Sequence, residues 1–137
     1  MIKAVIDIGT NSTRLYVADV TTEQKQILKM LSTTRLGEGI LSSDKMLKIP
    51  MERTSNAVMD FVNIAKENNA EDIYIYATAV VRESANKNDF SKMIFDKTGI
   101  TLDIIPGELE GEIVGECFGL FNFKLNFISI FFIFLLF

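Results

Sequence analysis

At 137 residues the chain is about one domain long, and an apolar share of 48% is enough to build a core. A net charge of −4 argues against a general nucleic-acid binder. The absence of histidine excludes a Ser-His-Asp triad, a Cys-His pair and a histidine-ligated zinc within the chain, so any general base must be a carboxylate or a lysine. The single cysteine, Cys117, reads as a small buried hydrophobe rather than a nucleophile. With no disulfide available and no signal-peptide pattern, the chain is expected in the cytoplasm.

The first element is the stretch from Ile2 to Val20, two apolar strand-like runs separated by the polar turn Gly9-Thr10-Asn11-Ser12. A glycine free to take positive φ, followed by three side chains carrying donors, suits a turn that cradles phosphate against backbone N–H groups. Asp7, one strand position earlier, could hold a hydrated Mg²⁺ against that phosphate. An ordinary hairpin turn is the competing reading of the same residues. Gln26 to Thr34 is expected as a third strand, followed by a flexible glycine loop at Leu36 to Ile40.

Met51 to Asn69 is expected as a helix, with Thr54, Ala57, Val58, Phe61, Ile64 and Ala65 on its buried stripe and Glu52, Arg53, Asp60 and Lys66 toward water. Pro50 suits its first turn. Ile73 to Ala77 reads as a strand buried on both faces, and Thr78 to Lys87 as a loop or short helix. Asp89 opens another helix, closed by Gly99, and Thr101 to Ile105 is a fifth strand. Pro106-Gly107 then turns the chain into a helix with Leu109, Ile113, Val114, Cys117 and Leu120 on its apolar side. A three-strand meander followed by α-β-α-β-α is an α/β layer on a mixed five-stranded sheet, with functional residues expected at loop mouths.

Asp7, Arg82 and Glu110 are placed just beyond strand ends in this scheme. Arg82 suits a bidentate phosphate contact, with a surface pair to Glu83 or Asp89 as the alternative. Glu108, Glu110, Glu112 and Glu116 crowd one helix, where a solvated acidic face is the plainer reading. From Cys117 to Phe137 the only charged side chain is Lys124, and eight of the eleven phenylalanines lie between Phe118 and Phe137. Leu125 to Phe137 as a helix would be ~20 Å long against ~30 Å of hydrocarbon, so membrane contact through this tail ranks below a non-native end from a shifted or truncated reading frame.

With these residues assembled, the chain resembles the exopolyphosphatase and guanosine-pentaphosphate phosphohydrolase (Ppx/GppA) family of the actin, sugar-kinase and heat-shock-chaperone superfamily. The resemblance rests on four ordered blocks: VIDIGTNSTRL at Val5 to Leu15, RLGEGI at Arg35 to Ile40, ATAVVRESANKNDF at Ala77 to Phe90, and IIPGELEGE at Ile104 to Glu112. The first is shared with sugar kinases, and the second and third are more particular to the phosphatases. The resemblance implies an actin-like ATPase (ribonuclease H-like) lobe over residues 1 to 118, followed by an aberrant apolar tail over 119 to 137. It also implies Mg²⁺-dependent hydrolysis of a terminal phosphoanhydride in polyphosphate or guanosine pentaphosphate. The family's catalytic glutamate falls on Glu110, with Glu108 as the weaker candidate because Leu109 and Gly111 depart from the motif. Its phosphate-binding arginine falls on Arg82, its phosphate loop on Gly9, Thr10, Asn11 and Ser12, and its metal site on Asp7. Full-length relatives are expected to be homodimers with a second lobe opening on a D-I-G-G-G-S-T loop, and that loop is absent from this sequence. A half-site is expected to be a slow enzyme. A noncatalytic phosphate-binding module and a membrane-associated fragment remain the alternatives.

Overall fold

The computed structural model describes residues 1–21 and 25–107. Three strands open the chain: β1 (Ile2–Ile8), β2 (Ser12–Asp19) and β3 (Lys25–Thr33). After a short 3₁₀ turn at Ile40–Ser42 come helix α1 (Lys48–Glu67), strand β4 (Asp72–Ala77), the single-turn helix α2 (Ala79–Arg82), helix α3 (Lys87–Thr98) and strand β5 (Leu102–Ile104). The sheet order is β3-β2-β1-β4-β5. β1 and β3 each run antiparallel to β2, whereas β1 pairs parallel with β4 and β4 with β5. The mixed sheet expected from the meander is therefore present. The helix expected after Pro106-Gly107 lies outside the described residues.

Alternation along β1 divides the core. Ala4, Ile6 and Ile8 point to the face covered by α1 and α3, where Leu15, Val17, Val58, Val62, Phe90 and Ile94 are buried with them. Val5, on the other face, clusters with Tyr16, Ala18, Tyr76 and Ile105. Truncating a fully enclosed side chain such as Ile6 or Leu15 to alanine would cost about 2–5 kcal/mol. Ile75, Tyr76 and Ala77 show the two-sided burial expected of β4, while its first three residues are partly open.

Helix α1 begins at Lys48, ahead of the expected Met51, because Pro50 falls in the first turn, where N–H groups have no intrahelical acceptor to lose. It ends with Asn69 at φ 62, which lets the Asn69 and Ala70 amides cap the carbonyls of Lys66 and Ala65. The start of α3 is a correction. Asp89 is its third residue rather than its cap; the N-cap is Asn86, whose side chain exchanges two hydrogen bonds with the Met46 backbone at 2.8 and 2.9 Å. Gly99 closes α3 at φ 72, as expected. No helix among the described residues is long and apolar enough to cross a membrane.

The amino terminus is tied to the end of β2. The Met1 ammonium lies 3.2 Å from an Asp19 carboxylate oxygen that also accepts from the Thr21 amide and hydroxyl. The Thr21 bonds, chiefly, and the ammonium lower the Asp19 pKa from 3.8 to about 2. Because the folded-state value is depressed, this contribution to stability is complete above pH 3.8 and fades as pH falls through about 2. Thermal melts of the wild type should lose stability across that window, and Asp19→Asn should remove this component of the acid dependence.

Candidate phosphate site at the loop edge of the sheet

β1, β3, β4 and β5 all run in one direction, so the chain leaves all four at the same edge of the sheet. Four segments meet there: the turn after Ile8, the loop after Thr33, the start of α2 after Ala77, and Ile105-Pro106-Gly107. Asp7, the Gly9–Ser12 turn and Arg82 fall on this edge or next to it.

The Gly9–Ser12 turn is closed by the Gly9 amide donating to the Ser12 carbonyl at 3.0 Å. This corrects two expectations. Gly9 does not adopt a positive φ; that conformation among the described glycines belongs to Gly39 and Gly99. Its amide is also committed within the turn. Glycine suits position 9 because a Cβ there would lie 3.1 Å from the Ser12 carbonyl oxygen. The groups turned outward are the side chains of Thr10 and Asn11, both exposed.

The turn's carbonyls are engaged from the other side. Thr34 and Arg35 amides both donate to the Asn11 carbonyl, at 3.0 and 2.9 Å, and the Gly37 amide donates to the Thr10 carbonyl at 3.0 Å. Beneath them the buried hydroxyls of Thr13 and Thr34 share a 2.9 Å hydrogen bond. The segment expected as a flexible glycine loop is therefore fastened to the turn, with Leu36 fully buried under it. Arg53 clamps the loop from α1: Nε donates to the Thr34 carbonyl at 2.7 Å, Nη2 to the Arg35 carbonyl at 3.4 Å, and Nη2 meets the Glu38 carboxylate at 2.5 Å. The helical pattern put Arg53 toward water. Its partners stand 15 to 19 residues earlier, too far for helical periodicity to register them.

Asp7 is the penultimate residue of β1 rather than a residue beyond the strand end, because β1 continues one residue further, to Ile8. It pairs in register with Arg14 on β2 and Tyr76 on β4, and only 8% of it is exposed. Tyr76 is buried, and its hydroxyl has no hydrogen-bond partner among the described residues. Burial, then the nearby Asp103 and Tyr74, drive its pKa well above the ordinary phenol value.

Arg82 ends α2. Its Nη1 donates to the Ile105 carbonyl at 2.8 Å, and its Nη2 stands 3.8 Å from the largely exposed Glu83 carboxylate. The contact to Glu83 expected of a surface arginine is present but long and solvated, and the bond to Ile105 holds the guanidinium at the loop edge. A Cβ on Gly107 would sit 3.4 Å from Cζ and Nη2, so the guanidinium lies against the backbone that leads to Glu108 and Glu110. Those two glutamates lie outside the described residues.

A mixed five-stranded sheet of this order, with a hairpin turn and an arginine at one edge, is a lobe of the actin-like ATPase fold. The Ppx/GppA family member from Aquifex aeolicus superposes on it with a TM-score of 0.78 at 25% identity, over 82% of this chain and 37% of that one. The sequence matches the Ppx/GppA phosphatase family over residues 16–121, and the chain belongs to that family. It is 35% identical over 120 residues to the bifunctional 3-dehydroquinate synthase/phosphatase of Fusobacterium nucleatum, covering 82% of this chain and 18% of that protein. It is 30% identical to exopolyphosphatase 2 of Mycobacterium tuberculosis, over 80% of this chain and 38% of the relative. The chain thus spans well under half the length of these relatives.

Two stability measurements probe the geometry. A Cβ at Gly37 would fall 2.4 Å from the Thr10 Cγ2 methyl, so Gly37→Ala should lose about 1–3 kcal/mol in urea unfolding. Adding Thr10→Ser, which deletes that methyl, should recover most of the loss. Tyr76→Phe removes an unpaired buried hydroxyl and should leave stability unchanged or raise it by about 1 kcal/mol.

Proposed function

We propose that this lobe hydrolyses terminal phosphoanhydrides, releasing phosphate from polyphosphate or guanosine pentaphosphate. The observation that carries the reading is the convergence of the Gly9–Ser12 turn and Arg82 on one sheet edge, with Arg82 lying against Gly107. In this reading Thr10, Asn11 and Ser12 donate to the terminal phosphate and the Arg82 guanidinium binds its charge. Glu110, three residues beyond Gly107, takes a proton from the attacking water.

Among the described residues no three acidic or sulfur side chains gather into a metal cage. Mg²⁺ is commonly bound by one or two carboxylates with phosphate oxygens and water completing the shell, and a single carboxylate beside a phosphate turn fits that mode. Asp7 would hold it. The ion would supply charge neutralisation at the phosphate oxygens. What the chain itself does is orient the anhydride, offset its charge and present a carboxylate base, with a correctly placed base contributing typically 10²–10⁴-fold.

Phosphate release from polyphosphate and from guanosine pentaphosphate, measured on the chain and on a fusion that restores a second lobe, tests the reading. In the fusion, Glu110→Gln should lower turnover about 10²-fold or more with little change in substrate binding. Undiminished turnover in that variant, with Glu108→Gln inactive, would move the base to Glu108. Undiminished turnover in both would end the proposal.

A further inference from the structure

The loop from Arg35 to Gly39 carries a residue to which the proposed chemistry gives no task. Arg35 is exposed, and its backbone stands at φ 50, a left-handed conformation that a side chain resists. Its amide is bonded to the Asn11 carbonyl of the phosphate turn, and its carbonyl accepts from both the Glu38 amide and Arg53. The main chain at Arg35 is thus pinned directly beside the turn's exposed donors. The nearest carboxylate in sequence, Glu38, is drawn off by Arg53. Among the described residues the Arg35 guanidinium has no ion-pair or hydrogen-bond partner.

Position decides what that charge can serve. Arg35 follows β3 and Arg82 lies beyond β4, on opposite sides of the turn that follows β1. β3 and β4 are three interstrand spacings apart, about 14 Å, which is wider than one phosphate group. A linear chain of phosphates could lie along the loop edge across both cations. The loop uses glycine at position 39, where φ is 78, yet keeps a long cationic side chain at the strained position 35.

We propose that Arg35 is a second phosphate-binding cation of this lobe, engaging a phosphate of a linear polyphosphate further along the chain than the one held by the Gly9–Ser12 turn and Arg82. The inference rests on the reading of that turn as the terminal-phosphate site. It gives the Arg35–Gly39 loop a binding role.

The test is calorimetric titration of the full 137-residue chain with pyrophosphate and with long-chain polyphosphate, for wild type, Arg35→Ala, Arg35→Gly and Arg82→Ala. Arg35→Ala should weaken polyphosphate binding about tenfold, the loss expected of one charge-assisted contact, and leave pyrophosphate binding within about twofold. Arg82→Ala should weaken both. Arg35→Gly should lose polyphosphate affinity to the same degree while its thermal midpoint stays at or above that of the wild type, because glycine accepts the left-handed backbone. A purely structural arginine would not separate affinity from stability in this way. Wild-type affinity for polyphosphate in either Arg35 variant, with Arg82→Ala still defective, would overturn the inference and leave the terminal-phosphate site standing. Equal losses on both anions in Arg35→Ala would also overturn it, by placing Arg35 in the terminal site or in the fold. If the wild-type chain binds neither anion, the phosphate site and this inference fall together.

Discussion

Three backbone hydrogen bonds, from the Thr34, Arg35 and Gly37 amides to the carbonyls of Asn11 and Thr10, hold the loop edge of this lobe together. A hairpin turn standing alone presents carbonyls as well as donors, and carbonyl oxygens repel an anion. Here the Thr10 and Asn11 carbonyls are occupied by the loop, while the side chains of both residues are exposed. The arrangement needs the loop backbone to come very close, and that is where Gly37 matters, since any Cβ would collide with Thr10.

The buttress is itself held from the helical layer. Arg53 commits its guanidinium to two loop carbonyls and one carboxylate, of which the part-buried bond to the Thr34 carbonyl is the best shielded and the exposed pair with Glu38 adds about 0–1 kcal/mol. α1 is fixed in turn by Val58, Phe61 and Val62 against the sheet. Packing of α1 in the core is thus linked through one arginine to the geometry of the Gly9–Ser12 turn. On the other flank the same logic runs through α2: Val80 and Val81 are buried, the Ser84 hydroxyl caps the Val80 carbonyl, and Arg82 is directed at Ile105. Asn86 then locks the end of this segment to the Met46 backbone. Val80, Val81, Ser84 and Asn86 of the ATAVVRESANKNDF block carry these structural duties, with Arg82 as the member that also faces the loop edge.

Family membership sets these features in context without transferring a whole enzyme. The chain matches the Ppx/GppA phosphatase family over residues 16–121, a span that takes in the loop after β3, the α2 segment and the approach to Glu110. It spans 18% and 38% of the two curated relatives described above. Catalysis by electrostatic clamping depends on donors placed around the whole reacting group. The described residues place the Gly9–Ser12 turn and Arg82 on one edge of the sheet.

The sequence by itself determined the order and kind of the described elements, the mixed α/β sheet, much of the buried stripe of α1 (Thr54, Val58, Phe61 and Ala65, though not Met51, Ser55 or Val62), the glycine stop of α3 and the identity of the turn, because each of these is written in periodicity or in residues adjacent along the chain. The four blocks also sufficed to place the chain in its family. What only the tertiary structure decided are the partnerships across sequence. Arg53 looked like a solvent-facing helical residue until the loop it clamps folded over it, and Asn86 looked like linker until Met46 came within reach. Gly9 was expected for a backbone angle and is instead favoured by a close carbonyl, while Asp7 proved to be inside β1 rather than past its end. Hydrophobic periodicity is a local signal carried by every turn or pair of residues. A hydrogen bond between groups tens of residues apart leaves no such trace, and its geometry exists only once the sheet has brought the two loops to the same edge.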